Sequence, residues 1–224
     1  MKRIRLIGIS FTMVCAASAI ATASASARSF EFRAETYPAE VRGTSSFPSF
    51  EFGGLVIACK HASFDTNEEG APNPTKESSV LIVHPRYTEC RGSLEPAGTF
   101  AAAVRTEGCN FRFHAVTPNE KTGFFDIICE GGKAIEVEPL GISGCAVTIP
   151  PQSGLAGIEY VNEAGPPKTI KVNAAVEKIK YRASSACGLG VVEGESRYRG
   201  SAVFNGFKPG TTEADGLEVH PSHP

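Results

Sequence analysis

The sequence predicts an all-β protein, an antiparallel two-sheet sandwich or jelly roll stapled by disulfides, with little or no helix beyond its leader. Three observations carry this. Short runs alternate apolar and polar side chains: in residues 109–116, Phe111 and Phe113 alternate with Arg112 and His114, the period of a strand with one buried face. The breaks between runs are turn chemistry, with 23 Gly and 15 Pro in the chain and no stretch of convincing helical period. Six cysteines follow the leader, an even number that suits a stapled, exported fold.

Residues 1–27 are expected to be a signal peptide. Lys2, Arg3 and Arg5 form a charged start, residues 6–21 an apolar stretch, and Ala23-Ser24-Ala25 and Ala25-Ser26-Ala27 two overlapping cleavage sites. Ser10, Thr12 and Ser18 interrupt the apolar stretch, which argues against a membrane anchor. Cys15 lacks the small preceding residue of a lipidation site. A single all-β domain over 28–207 follows, a length that one sandwich can fill, and 208–224 is expected to be a flexible tail.

The strands are expected in order. Residues 30–37 alternate Phe30, Phe32 and Ala34 with Glu31, Arg33 and Glu35. The run at 50–60 carries a bulge or bend at Gly53-Gly54. Residues 78–85 form a buried strand that Pro85 stops, and 99–106 another. The stretches 109–116, 123–129, 134–139 and 145–152 are read as a four-stranded meander. In 168–183, Ile170, Val172 and Ala174 share one phase and Ile179 and Tyr181 the other, which requires a bulge near residues 175–177. Residues 196–207 close the sheet, giving about ten to thirteen strands.

Six cysteines remain after the leader: Cys59, Cys90, Cys109, Cys129, Cys145 and Cys187. None lies in a C-x-x-C pair, so disulfides are expected rather than zinc. Spacing does not choose among the possible pairings. A hairpin across 117–122 would set Cys109 opposite Cys129. Cys59 and Cys90 are then the natural local pair, leaving Cys145 with Cys187.

The words FRAETYPAEVRGT (32–44), FEFGGLVIACK (50–60), GCNFRFHAV (108–116) and GCAVTIPPQSGLAGIEYVN (144–162) resemble a group of uncharacterised exported proteins of soil actinobacteria. The resemblance spans nearly the whole mature chain and implies an exported, disulfide-bonded β protein. That group carries no assigned activity or cofactor, so the resemblance brings no functional residues with it.

Chemistry is mostly excluded. The mature chain has 19 basic and 24 acidic residues, which argues against nucleic acid. The elbow G-x-S-x-G is absent, Gly141-Ile142-Ser143-Gly144 failing on spacing, and neither H-E-x-x-H nor a P-loop occurs. Bridged cysteines offer no thiol nucleophile. With Asp65, Asp126 and Asp215 the only aspartates, a glycosidase-like pair would draw on Glu136, Glu138 or Glu159. Glu136 and Glu138 alternate with Ile135 and Val137, as solvent-facing strand residues do. Residues 65–70 imitate the first half of a calcium loop, but Lys76 stands where the bidentate Glu belongs. His61, His84 and His114 are scattered, His220 and His223 lie near the C-terminus, and Lys178, Lys180 and Arg182 form a basic stripe read as a solvated face.

No catalytic, cofactor-binding or metal-binding residue is therefore assigned. The expected function is a non-catalytic exported structural or binding protein with a cell-wall or extracellular partner and no membrane span after cleavage. The alternative is a secreted hydrolase using carboxylate chemistry, for instance on polysaccharide.

Overall fold

The computed structural model describes residues 30–66, 68, 71–115, 121–190 and 192–222; the expected signal peptide at 1–27 and His223 lie outside them. Fourteen strands succeed one another: β1 (Phe30–Ala34), β2 (Glu40–Ser46), β3 (Ser49–Phe52), β4 (Leu55–Asp65), β5 (Val80–Leu94), β6 (Gly98–Arg105), β7 (Cys109–His114), β8 (Thr122–Cys129), β9 (Ile135–Pro139), β10 (Val147–Ile149), β11 (Gln152–Glu163), β12 (Thr169–Ala183), β13 (Glu193–Phe207) and β14 (Leu217–Pro221). Among the described residues the helical content is one 3-10 turn, Ser185–Cys187. Twelve strands make one antiparallel, sandwich-like sheet, and β1 and β14 make a second, two-stranded one.

The ladder of the large sheet closes on itself twice. One ring runs β5, β7, β8, β11, β12, β13, β2, β4 and back to β5. The other runs β5, β6, β9, β10, β12, β13, β3, β4 and back to β5. The long strands β4, β5, β12 and β13 belong to both, and each ring has eight strands, the number whose interior side chains just fill. Phe64, Phe111, Phe113, Phe125 and Phe204 fill the first, with Phe113 reaching Phe204 across the interior at 5.9 Å. Leu55, Ile57, Ile135, Val137, Val147 and Ile149 fill the second, with Phe52 edge-on to Tyr181 at 5.2 Å.

The irregularities of the long strands collect at the waist between the rings. Three of the four change the phase of their buried side chains there: β4 at Lys60-His61, β5 at Thr88-Glu89 and β12 at Glu177-Lys178. Among the described residues, the three non-glycine ones with left-handed φ, Phe47 (57°), Glu89 (52°) and Lys178 (62°), sit at this level. The cause is the change of partner. β5 pairs with β7 as far as Val83 and with β6 from Cys90, and β12 leaves β11 at Ala174 and meets β10 at Arg182. A bulge lets each strand re-aim its side chains at a new neighbour. The register shift between Val176 and Ile179 is the bulge that the phase change in the sequence called for.

Several expectations are corrected. Pro85 does not stop its strand. It lies in the stretch of β5 between its β7 and β6 partners, where a missing N–H breaks no ladder bond on that side, and its carbonyl accepts the Thr106 hydroxyl at 2.5 Å. Gly53-Gly54 is a two-residue hairpin turn joining β3 to β4, both residues at positive φ. The four-stranded meander does not form. β7 and β8 pair as a hairpin, but β8 then pairs with β11, while β9 and β10 form a separate hairpin in the second ring. The 208–224 stretch is not a free tail: β14 pairs with β1 and buries Leu217 and Val219. This small sheet sits at the end of the first ring. Phe32 exchanges backbone bonds with Ser78, and the Asn162 side chain grips Val219, donating to its carbonyl at 2.6 Å and accepting from its N–H at 2.9 Å.

Three disulfides join Cys59 to Cys90, Cys109 to Cys129 and Cys145 to Cys187. The first two tie directly opposed residues of β4/β5 and β7/β8. The third ties the approach to β10 to the turn after β12, beside a seam only two residue pairs long.

Candidate functional site: a cleft at the waist and the aspartate behind it

The β7/β8 hairpin sets Arg112 opposite Asp126 and His114 opposite Phe124. The His114 ring stacks on Phe124, with centroids 4.3 Å apart, and its Nε2 lies 2.9 Å from Asp126 Oδ2. The other carboxylate oxygen accepts the backbone N–H of Gly154 at 2.9 Å, and the Arg112 guanidinium stands 3.8 Å away. Burial alone would raise this carboxyl's pKa, but the Gly154 N–H, His114 and Arg112 outweigh it and hold the pKa below the ordinary carboxylate range. With both oxygens engaged, Asp126 anchors a backbone segment and is not free to act as a nucleophile or base.

The anchored segment is the start of β11, which pairs with β8 through two register shifts, one on either side of the Leu155-Ala156 pairs. There β11 swings away from β12, and a cleft of about 660 Å³ opens between them. Gln152, Ser153 and Gly157 line one wall and Ala175, Glu177, Lys178 and Lys180 the other. Gln152 reaches across it: its Nε2 donates to the Lys180 carbonyl at 3.0 Å and its Oε1 accepts the Lys180 N–H at 2.9 Å. The cavity among Phe64, Phe113 and Phe204 is about 20 Å³, room for about one water, and the buried Ser45 hydroxyl beside it has no partner.

The structure does not bring together the carboxylates that a hydrolase would need. Glu136 and Glu138 lie on β9 of the second ring, Glu138 paired with Arg105 at 2.8 Å, whereas Glu159 lies on β11 of the first and accepts from Asn173 at 3.2 Å. None lines the cleft. The histidines are separated too. His61 faces Glu89 at 3.8 Å, buried His84 bonds the Cys109 carbonyl at 3.1 Å, and His220 lies 3.2 Å from Glu77. In the calcium-like stretch Asp65 ends β4, and its pKa is pushed up by burial and then by Glu68. Thr66 turns inward to accept the Val41 N–H, and Glu68 pairs with Arg86. Residues 67, 69 and 70 lie outside the described residues. Asp215 accepts the Thr36 hydroxyl. Among the described residues no three His, Cys, Asp or Glu side chains gather as a metal-binding group. Of the basic stripe, Arg182 pairs with Glu193 at 2.9 Å, while Lys178 and Lys180 edge the cleft.

Sequence reasoning missed the His114–Asp126 pair. Once Cys109 is set opposite Cys129, the same register puts Arg112 opposite Asp126 and His114 one step along the diagonal, so the signal was present. The cleft had no such signal, because it exists only where two strands that are distant in the chain part company.

Fold and site together define a disulfide-stapled all-β sandwich with an open cleft at its waist and no described catalytic cluster. Comparison with protein-family models, with curated proteins and with solved structures finds no match. Among the described residues no helix is long and apolar enough to cross a membrane. The three bridges belong to an oxidising compartment.

Proposed function

We propose that this chain is an exported, non-catalytic scaffold that binds a partner outside the cytoplasm, at the cell surface or in the surroundings. The observation that carries this reading is the pairing of an open cleft with side chains already engaged in structure. Asp126 holds a bulge, the six cysteines after residue 27 are bridged, and the glutamates that could serve a hydrolase face solvent on different rings. Export is supported by the charged, apolar and small-residue order of residues 1–27 and by the bridges. A rigid β framework that displays irregular segments for recognition is a common use of such folds.

The test joins location to activity. The full chain is expressed in a host that secretes, and the culture medium and wall fraction are probed for protein whose cysteines resist alkylation. The purified protein is then assayed for reducing ends released from starch, cellulose and wall polysaccharide. The expected result is exported, thiol-free protein without turnover. Turnover that falls in E136Q, E138Q or E159Q would replace the scaffold reading with the hydrolase one, and protein held in the cytoplasm with free thiols would remove export.

A further inference from the structure

We propose that the cleft between β11 and β12 is a slot for strand addition, receiving an extended, acidic peptide segment of a partner protein along residues 175–181. The inference rests on the scaffold reading and deepens it by naming the partner's chemistry. β12 is paired with β13 along its length, but on its other side β11 ends its pairing at Ala174 and β10 begins at Arg182. About 20 Å of strand edge therefore runs past the waist without a neighbouring strand on that side.

A peptide-shaped group already occupies part of this edge. The Gln152 amide both donates to and accepts from the backbone of Lys180, the two-bond exchange that a residue of an added strand makes in a hydrogen-bonded antiparallel pair. The molecule uses the same device elsewhere. The Asn162 amide makes the same two bonds to Val219, and what it holds there is a genuine strand, β14. The far wall is largely backbone. Gly157 carries no side chain, and a Cβ there would meet the Ala175 carbonyl at 2.3 Å, so the two strands converge at that end and open toward Gln152.

Charge decides what kind of segment fits. Lys178 and Lys180 are exposed at the rim and have no ion-pair partner among the described residues, whereas neighbouring Glu177 faces Arg197 and Arg199 at 3.7 and 4.0 Å. An extended peptide with acidic side chains on its outward face would pair its backbone with β12 and its carboxylates with the two lysines. Its backbone would displace the Gln152 amide from Lys180.

The probe is a fluorescein-labelled heptapeptide of alternating Glu and Val, added to the oxidised, leader-free protein. It is compared with the same peptide N-methylated at alternate residues and with its Lys-Val counterpart. Binding by anisotropy is expected for the acidic peptide, weakened about tenfold or more by N-methylation, by charge reversal and by K178E/K180E. Resonances of the Gln152 side-chain amide and the Lys180 N–H should shift on binding. Any of three results overturns the slot: no binding, equal binding of the N-methylated peptide, or shifts confined to other strands. A dimer in sedimentation that the peptide leaves intact would put a second copy in the cleft and overturns it too. Each of these leaves the scaffold reading standing, since only export and turnover decide that.

Discussion

The two rings share four strands but are held together differently. The first is packed with phenylalanines, its hairpin β7/β8 is regular, and the β1–β14 pair covers its end. The second mixes aliphatics with Phe50, Phe52 and Tyr181 and closes with shorter pieces: β3 has four residues, β9 five and β10 three. Its β10–β12 seam has two residue pairs, reinforced by Ser184, whose hydroxyl donates to the Gly144 carbonyl and accepts the Ala146 N–H, and by the Cys145–Cys187 bridge. Cys59–Cys90 ties β4 to β5, which both rings share. Each ring carries a bridge of its own, Cys109–Cys129 in the first and Cys145–Cys187 in the second, but only the second bridge stands beside a ladder of two residue pairs, where a covalent link supplements few backbone bonds.

The largest expected effect comes from reduction. The bridges span 31, 20 and 42 residues, and each should contribute about 3–4 kcal/mol by the chain-entropy account. Together that approaches the whole stability of about 5–15 kcal/mol for a domain. Fully reduced and alkylated protein should lose its cooperative melt, and an unchanged melting temperature would refute the assignment. Truncating the aromatic cluster should come next: F113A removes a ring buried against Phe111, Phe125 and Phe204 and should cost about 3–5 kcal/mol by denaturant titration. If F113A is nearly neutral, the first ring is not held by its aromatics.

Asp126 gives a smaller, pH-dependent effect. Its folded carboxyl is held below the ordinary range, so its contribution is complete above about pH 4 and is lost as pH falls through the folded value. D126A should cost about 1 kcal/mol at neutral pH by removing the charged partner of the Gly154 N–H and of the His114 ring. D126N should flatten the acid side of the stability curve; an unchanged acid limb would show that another group sets it. The smallest effects lie at the waist. Phe47 is 74% exposed at φ 57°, and F47G, or K178G at φ 62°, should gain about 0.5–1 kcal/mol by relieving left-handed backbone. A loss in F47G would mean that the exposed ring makes a contact worth more than the strain.

Local features were legible in the sequence and distant pairings were not. Alternation at 109–116 and 123–129 with a turn between them marks a hairpin, and its register follows from Cys109 and Cys129. The phase change in 168–183 marks the β12 bulge because one inserted residue flips every later side chain. The same signal stands in Cys59-Lys60-His61-Ala62, where β4 changes phase. The destination of β9 was illegible, since alternation says that a segment is a strand but not whose edge it joins. Pro85 misled for a related reason: proline's cost in a strand depends on whether a neighbour needs its N–H, and that is decided by β6 and β7 far along the chain. The cleft inherits the difficulty, its walls being 152–157 and 175–180.

Because β4, β5, β12 and β13 thread both rings, each ring can part without disturbing the other only at its own ladders, β7–β8 or β8–β11 in the first and β6–β9 or β9–β10 in the second. Slow amide exchange along the four shared strands should therefore follow a single clock, and a ligand seated at the waist should slow that clock in both rings at once.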